Sequence, residues 1–147
     1  LKANAIAVPR LGVLNLHSGV LPDYQGVMAT FRAMLNQEAE IGTTLHFISD
    51  NSIDTGDIVA INNMPLRKEK SYLWHVLSLY EQGSISMVNA VKTLALGEPL
   101  MAKPQRGGGD YYSYPSHEEV DTFIRRGYKL FDLDDIQQIA RQFYVMD

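Results

Sequence analysis

Two polar side chains, Asn15 and His17, stand two residues apart at the end of an apolar stretch, residues 11–16. Because side chains alternate between the two faces of a strand, an extended backbone here directs both of them to the same side. A histidine titrates near neutral pH and can carry a proton, and an amide can donate a hydrogen bond to a developing oxyanion. These residue types at this spacing therefore indicate acid–base chemistry where a strand ends.

A carboxylate, Asp54, lies in the turn-forming sequence DNSIDTGD, residues 50–57, directly after a second predicted strand. A carboxylate within hydrogen-bond reach of an imidazole fixes its tautomer and stabilises its cation. If the two strands are neighbours, Asn15, His17 and Asp54 suit acyl transfer through a tetrahedral intermediate. None of the three is a good nucleophile, so we expect direct attack by a substrate amine or by water rather than a covalent acyl-enzyme.

Each of these features also has a purely structural interpretation. Asn-x-His at a strand end often forms a turn or a hydrogen-bonded pair, and residues 54–57 are by themselves ordinary turn formers. Two further histidines, His75 in an amphipathic helix and His117 beside a helix cap, are expected to be structural or exposed. The functional interpretation therefore depends on the combination rather than on any one pair.

Hydrophobic spacing and turn residues predict alternating strands and helices. After the strand that carries His17, we predict a helix over 27–39, strands over 42–49 and 57–64, and helices over 71–96, 116–127 and 134–144. Gly83 is expected to bend or interrupt the long helix, and Ser116 with Glu119 has the spacing of a capping box. This order is typical of an α/β domain, in which ligands bind at the carboxyl ends of the strands.

Composition limits the class of protein. The 147-residue chain is 46% hydrophobic, which suits one compact domain. Its 13 basic and 17 acidic residues give a net charge of −4 without a sustained basic stretch, so we expect no nucleic-acid partner. No apolar run approaches the roughly 20 residues of a membrane span, so no membrane association is expected. With no cysteine, disulfides and thiolate metal sites are excluded, and we expect a cytoplasmic protein by default.

Two segments, NLHSGVLPDYQG over 15–26 and IGTTLHFISDNSIDTGDIV over 41–59, resemble the folate-dependent formyltransferase family. That family includes glycinamide ribonucleotide, methionyl-tRNA and amino-sugar formyltransferases and the related formyltetrahydrofolate hydrolases. The positions that follow its pattern in register are Asn15, His17, Leu21, Pro22, Tyr24, Gly26, Gly42, Thr44, His46, Asp50, Asp54 and Gly56. The resemblance is strong over 11–59 and looser over the helical region as far as residue 99.

The resemblance implies a truncated Rossmann-like formyltransferase fold, α/β in class, with a mainly parallel sheet of about three strands, helices and a helical C-terminal region. It places Asn15, His17 and Asp54 at the catalytic positions. Asn15 would polarise the formyl oxygen, His17 would stabilise the charge of the intermediate or move protons, and Asp54 would orient His17 or an ordered water. The pteridine of the donor, 10-formyltetrahydrofolate, would be held by the backbone of Ser49, Asp50, Asn51, Ser52 and Ile53.

The chain also departs from the family pattern. Ser18-Gly19 stands where the family usually has Pro-Ser, and Asn51-Ser52 replaces an acidic residue and a glycine of the folate loop. The family has further strands ahead of the Asn-x-His strand, so this chain resembles the second half of the domain. We expect a catalytic half-domain over 1–100, with a loop and C-terminal helices over 101–147 packed on it. Strand 11–16 would then have an unpaired edge, which predicts a homo-oligomer.

Two other features have competing interpretations. His46 and Asp50 could join His17 and Asp54 as a zinc site. We predict no metal, because the resemblance gives these residues a metal-free role and His46 is more simply a core histidine or one that supports its neighbours. In the glycine- and tyrosine-rich segment 106–115 no helix directly follows the glycines, which disfavours a phosphate-binding loop. A mobile loop whose tyrosines cover a site or a partner is expected instead.

The sequence thus predicts an enzyme that transfers a formyl group from 10-formyltetrahydrofolate to an amine of a small molecule. A nucleotide-linked amino sugar or another small metabolite is favoured over tRNA as the acceptor, since the charge balance is acidic. Two alternatives stay open at this stage. One is the hydrolase, in which water replaces the amine, and the other is a non-catalytic fragment that acts as a binding or interaction module.

Overall fold

The computed structural model of this protein describes residues 2–143. Its elements, in chain order, are α1 (Ala3–Ile6), β1 (Val13–His17), β2 (Tyr24–Gly26), α2 (Ala29–Leu35), β3 (Glu40–Ile48), β4 (Ile58–Pro65), α3 (Tyr72–Ala95), β5 (Asp110–Tyr112), α4 (His117–Arg125) and α5 (Leu133–Phe143). The predicted helices and strands are present, with ends that differ by a few residues. No helix in the described part of the chain is long and apolar enough to cross a bilayer.

The strands form two small sheets. In the first, the order is β1-β3-β4, and both β1 and β4 run antiparallel to β3. In the second, β2 pairs in parallel with β5. The α/β class is confirmed, but the sheet is mixed rather than mainly parallel. Strands β3 and β4 are consecutive and joined by one loop, which permits antiparallel pairing, and apolar residues on both faces of a strand do not specify its direction.

Helix α2 lies between two apolar clusters, and its opposite sides contribute to each. The first cluster holds Tyr24, Ala29, Ala33, Ile41 and Leu79. The second holds Phe31, Met34, Phe123 and Tyr128. Phe31 stacks on Phe123 of α4 with ring centroids 4.5 Å apart. The C-terminal region therefore shares a core with α2, the helix that follows residues 18–26, called here the signature turn.

Helix α3 packs across the three-stranded sheet. Ser71 caps its N-terminus by accepting a hydrogen bond from the Trp74 N–H. The predicted interruption at Gly83 is wrong, because the helix is continuous through this residue, and a bend there stays a prediction. A Cβ at Gly83 would lie 2.8 Å from Cδ2 of Leu16 on β1. The glycine therefore allows the helix to approach the sheet closely.

The C-terminal helices contact the rest of the chain through polar groups as well. Ser116 and Glu119 form the predicted capping box at the start of α4, and Glu119 also pairs with the buried Arg32 of α2. On α5, Asp135 accepts the Ser71 N–H at 2.8 Å, next to the start of α3. Part of the segment predicted as a mobile loop, 106–115, is the strand β5.

Two predictions about the chain as a whole keep that status. Within residues 2–143, β1 pairs with β3 alone, so its other edge has no strand partner in that range. Association into a homo-oligomer stays a prediction, as does the division into 1–100 and 101–147. The predicted helix 134–144 is α5, and position 144 lies outside the described residues.

Candidate active site

Strands β1 and β3 bring three polar side chains to one face of the sheet. Asn15 and His17 alternate with the apolar residues of β1, and Asn15 lies opposite His46 of β3. The Nδ1 atom of His46 donates to the Phe47 carbonyl at 2.8 Å, which in the neutral ring leaves its Nε2 atom as an acceptor. Asn15 Nδ2 donates to that Nε2 atom at 3.1 Å. This contact assigns the orientation of the Asn15 amide.

Asp54 enters this group from the loop between β3 and β4. Its Oδ1 atom lies 3.5 Å from Asn15 Nδ2 and 3.4 Å from His46 Nε2. Its Oδ2 atom lies 3.5 Å from His17 Nδ1 and accepts the Gly26 N–H at 2.9 Å. The structure therefore brings Asn15, His17 and Asp54 together, although they are up to 39 residues apart in the chain.

The His17 ring is buried and contacted on both nitrogens. Its Nε2 atom lies 2.6 Å from the carbonyl oxygen of Tyr24, in the signature turn. Because a carbonyl oxygen can only accept, Nε2 carries a proton. In the neutral ring, Nδ1 is then unprotonated and faces the Asp54 carboxylate.

The surroundings of the pair favour a charged aspartate and a neutral histidine. Burial lowers the pKa of His17, and the opposing effects of the Asp54 charge and the Tyr24 carbonyl do not fully offset it. Burial by itself raises the pKa of Asp54. The contact with His46, the charge that His17 carries when it is protonated and the Gly26 N–H outweigh that effect and hold the Asp54 pKa below its ordinary value. At neutral pH, Asp54 is ionised and His17 is neutral.

The loop predicted to hold the donor borders two clefts. Ser49, Asn51 and Ser52 line both a cleft of about 750 Å³ beside α1 and a cleft of about 300 Å³, and Asp50 lines the larger one. The smaller cleft is also lined by Ile53 and by the polar side chains Asn15, His46 and Asp54. Within the loop, Asp50 Oδ1 accepts the Ser52 N–H at 2.7 Å, so this carboxylate stabilises its own turn. The predicted binding residues thus lie between a large open cleft and the polar group.

Sequence reasoning missed or understated three members of this site. His46 was predicted as a core or supporting residue, and it is buried in direct contact with Asn15 and Asp54. The backbone of the β2 turn, through the Tyr24 carbonyl and the Gly26 N–H, also binds the site. Pairing β1 against β3 in antiparallel register would have indicated His46. No local signal indicates the backbone contacts.

The zinc alternative required a ligand set that includes Asp50. In residues 2–143, no group of three or more His, Asp or Glu side chains is arranged to hold a metal ion. Asp54 is instead surrounded by hydrogen-bond donors, from Asn15 and from the Gly26 backbone. This environment suits a carboxylate that acts on a neighbouring imidazole.

Comparison with known proteins identifies the family. Residues 1–91 match the family described as formyl transferase. The chain belongs to the formyl transferase family. The predicted resemblance is therefore confirmed, and the match covers β1, the signature turn, the loop between β3 and β4 and most of α3.

Curated relatives with similar sequences are named methionyl-tRNA formyltransferase. The protein of Deinococcus radiodurans is 33% identical over 125 residues, which are 85% of this chain and 38% of the relative. The protein of Paramagnetospirillum magneticum is 32% identical over 111 residues, which are 76% of this chain and 36% of the relative. The chain thus spans less than two fifths of the length of these relatives.

Solved structures of formyltransferases share the fold. The formyltransferase PseJ from Anoxybacillus kamchatkensis superposes with a TM-score of 0.72 at 19% identity, covering 92% of this chain and 69% of that one. That structure contains UDP-4,6-dideoxy-4-formamido-L-AltNAc and tetrahydrofolate. An N-formyltransferase from Helicobacter canadensis, in complex with folinic acid and dTDP-3-aminofucose, gives a TM-score of 0.64 at 23% identity over 84% of this chain and 51% of that one.

Proposed function

We propose that this chain supplies the catalytic half of an enzyme that transfers a formyl group from 10-formyltetrahydrofolate to an amine of a small-molecule acceptor. The observation that carries the proposal is the convergence of Asn15, His17 and Asp54, with every contact to Asp54 at 3.5 Å or less. Membership of the formyl transferase family supports it. Solved neighbours with bound folates and amino or formamido sugar nucleotides also agree with it.

The proposed reaction needs a path for one proton. The acceptor nitrogen bonds to the formyl carbon, the bond from that carbon to the donor nitrogen breaks, and a proton moves from the acceptor to the donor nitrogen. His17 Nδ1, unprotonated and 3.5 Å from the Asp54 carboxylate, is the atom that accepts this proton. The ionised Asp54 stabilises the imidazolium until the proton is passed on.

The role proposed for Asn15 is to donate a hydrogen bond to the oxyanion of the tetrahedral intermediate. Its Nδ2 atom lies on the face that carries His17 and Asp54, as that role requires. Of its two present contacts, the one to Asp54 at 3.5 Å is longer than the one to His46 at 3.1 Å. A formyl oxygen would replace the longer contact, while His46 continues to orient the amide.

The donor is proposed to bind along residues 49–53. This loop borders both the open cleft beside α1 and the polar cleft, so a pteridine held by its backbone would extend toward Asn15 and Asp54. Asn51 and Ser52 belong to the loop, and they alter its pattern relative to the family. We propose that they are tolerated because contacts from backbone groups do not depend on side-chain identity.

The acceptor is proposed to be a small amine rather than tRNA. The net charge of −4 opposes a polyanionic partner. The curated relatives that the chain matches are named methionyl-tRNA formyltransferase, so tRNA is the alternative acceptor. The acceptor class is therefore the part of the proposal that experiment has to decide.

A direct test uses the chain as given and a version extended by its upstream coding region. Each is incubated with 10-formyltetrahydrofolate and either an amino-sugar nucleotide or methionyl-tRNA, and the formylated product is measured. We expect transfer to the amino-sugar nucleotide that is lost in His17→Asn. The matched control is His117→Asn, which changes an exposed histidine at the start of α4. Transfer only to tRNA would overturn the acceptor class, and formate release without an amine would favour the hydrolase.

A further inference from the structure

Residues 103–112 lie outside the range 1–91 that matches the formyl transferase family. They contact the loop that contains Asp54 and the strand β2. Lys103 forms an isolated antiparallel bridge with Ile58, at the start of β4. Strand β5 then pairs with β2, so that Gly26 lies opposite Tyr112. Between these two contacts lies Gln105. Residues 103–112 therefore contact both the segment that follows Asp54 in the chain and Gly26, whose N–H binds the Asp54 carboxylate.

Gln105 makes two hydrogen bonds that bear directly on Asp54. Its Nε2 atom donates to the Asp54 carbonyl and to the Gly56 carbonyl, both at 2.8 Å. An amide nitrogen has two hydrogens, which match these two acceptors. The amide oxygen of Gln105 could not take this position, because it would face two other oxygens. Shape and chemistry together thus favour a primary amide here.

The backbone that Gln105 holds is strained. Asp54 has a φ of 57°, a left-handed conformation that is unfavourable for a residue with a side chain. Conformations of this kind persist where the surroundings determine them. The direction of the Asp54 carboxylate follows from this backbone, because the side chain is short. Holding the Asp54 carbonyl therefore sets where the carboxylate points.

The same segment supports the other partner of the carboxylate. The Gly26 N–H, which donates to Asp54 Oδ2, lies in β2 and is held there by pairing with β5. The next amide, that of Val27, donates to the Tyr112 carbonyl at 2.9 Å. A Cβ at Gly26 would lie 2.1 Å from that carbonyl oxygen, so the two strands meet as closely as glycine allows.

We propose that Gln105 is a positioning residue that fixes the Asp54 carboxylate against His17 by holding the carbonyls of Asp54 and Gly56. This inference rests on the proposed function for its effect on catalysis. The placement of the carboxylate is independent of that function and can be measured by itself. Residues 103–112 are in this view part of the site rather than a connection to the C-terminal helices.

The test replaces Gln105 by methionine, which has a similar shape and no donor. The readout is the pKa of the His17 ring, measured by NMR titration of the whole chain. The negative charge of Asp54 raises that pKa. We therefore expect it to fall in Gln105→Met, in the same direction as in Asp54→Asn. The control is Gln82→Met, on an exposed position of α3, which leaves the His17 pKa unchanged.

A second readout measures formyl transfer, if the wild-type chain or its extended version is active. We expect kcat to fall by about ten- to a hundredfold in Gln105→Met with little change in KM. The reason is that the Asp54 carboxylate, which would be misplaced, acts in the chemical step and not in substrate binding. A folded Gln105→Met variant with the wild-type His17 pKa would overturn the positioning role, whether or not transfer is observed. A lack of transfer in the wild type would overturn the proposed function alone.

If Gln105→Met does not fold, Gln105→Asn takes its place. Asparagine keeps the amide but is one methylene shorter, so it cannot reach both carbonyls from the same backbone. We expect a smaller fall in the His17 pKa than Asp54→Asn causes. An unchanged His17 pKa in a folded Gln105→Asn variant would overturn the inference.

Discussion

Burial shifts the pKa of the His17 ring in one direction, and its polar contacts shift it in the other. Burial favours the neutral form, whereas the Tyr24 carbonyl and the Asp54 carboxylate both favour the protonated one. Because Nε2 already donates to Tyr24, a proton that the ring gains must bind Nδ1, on the side of Asp54. The ring therefore has one defined place for a proton in transit.

Asp54→Asn tests this arrangement at the scale of a single residue. Asparagine keeps the size of the side chain but removes the charge that stabilises the imidazolium. We expect formyl transfer to fall by about 10²- to 10⁴-fold, the range of general acid–base catalysis. Steady-state kinetics would measure it, with Asp121→Asn, on an exposed position of α4, as the control. Activity within twofold of wild type would contradict the role given to Asp54.

The buried histidines also predict how stability changes with pH. Burial lowers the pKa of both His17 and His75 from 6.5. The unfolded chain therefore binds more protons than the folded chain below about pH 6.5, and the free energy of unfolding falls as the pH drops from there toward the two folded pKa values. The slope is at most about 1.4 kcal/mol per pH unit for each proton.

Urea denaturation at several values between about pH 7.5 and 5 would measure this slope. His75 donates from Nδ1 to the Ser71 carbonyl and accepts the Arg67 N–H on Nε2. Glutamine can both donate and accept but does not titrate, so His75→Gln should flatten the curve. A free energy of unfolding that rises as the pH is lowered through this window would contradict the prediction.

At the scale of elements, the site is built from strands together with the loops that follow them. The loop after β3 contains both the proposed donor-binding residues and Asp54, and the turn after β1 supplies the contacts of Tyr24 and Gly26. Helix α3 supports the strands that carry these loops, because it contacts β1, β3 and β4. The close contact at Gly83 determines how near α3 lies to the sheet.

Gly83→Val tests the contact between α3 and the sheet. A Cβ at this position would lie 2.8 Å from Leu16 Cδ2 and 3.2 Å from Thr43 Oγ1, so a branched side chain has no space. We expect the free energy of unfolding to fall by about 1–3 kcal/mol, the usual cost of overpacking. Chemical denaturation would measure the loss. Gln82→Val, one residue earlier and exposed, controls for the helix propensity of valine. If Gly83→Val and Gln82→Val lower the free energy of unfolding equally, the loss comes from the helix propensity of valine alone, which would contradict the prediction.

At the scale of the whole molecule, the polar site and the apolar core depend on contacts between distant segments. Arg32 of α2 is buried, pairs with Glu119 of α4 and stacks over the Tyr112 ring at 5.2 Å. Tyr112 in turn belongs to β5, which pairs with the signature turn. The C-terminal region and the candidate site are thus connected through one continuous set of contacts.

The free edge of β1 predicts association of the chain. Within residues 2–143, β1 has one strand neighbour, and unpaired strand edges tend to pair with other chains. We expect light scattering at micromolar concentration to give a mass at least twice the 16.5 kDa of the chain. The version extended upstream should associate less if its added residues cover this edge. A monomeric mass for the chain as given would contradict the prediction.

Local chemistry was sufficient to predict the longer helices and strands and the candidate residues Asn15, His17 and Asp54. Side-chain alternation placed Asn15 and His17 on one face, and turn formers placed Asp54 in a loop after a strand. Helix ends such as the capping box at Ser116 were readable because their hydrogen bonds lie within a few residues. These features depend on neighbours in the chain, so a sequence without coordinates contains them.

The tertiary structure alone decided the rest. The antiparallel direction of β1 and β3 put His46 against Asn15, the helix contact at Leu16 gave Gly83 its role, and a strand formed within 106–115. The hydrogen bonds of Gln105 to the Asp54 loop span about fifty residues. Each of these depends on which distant segments meet when the core closes, and neither spacing nor composition records that choice.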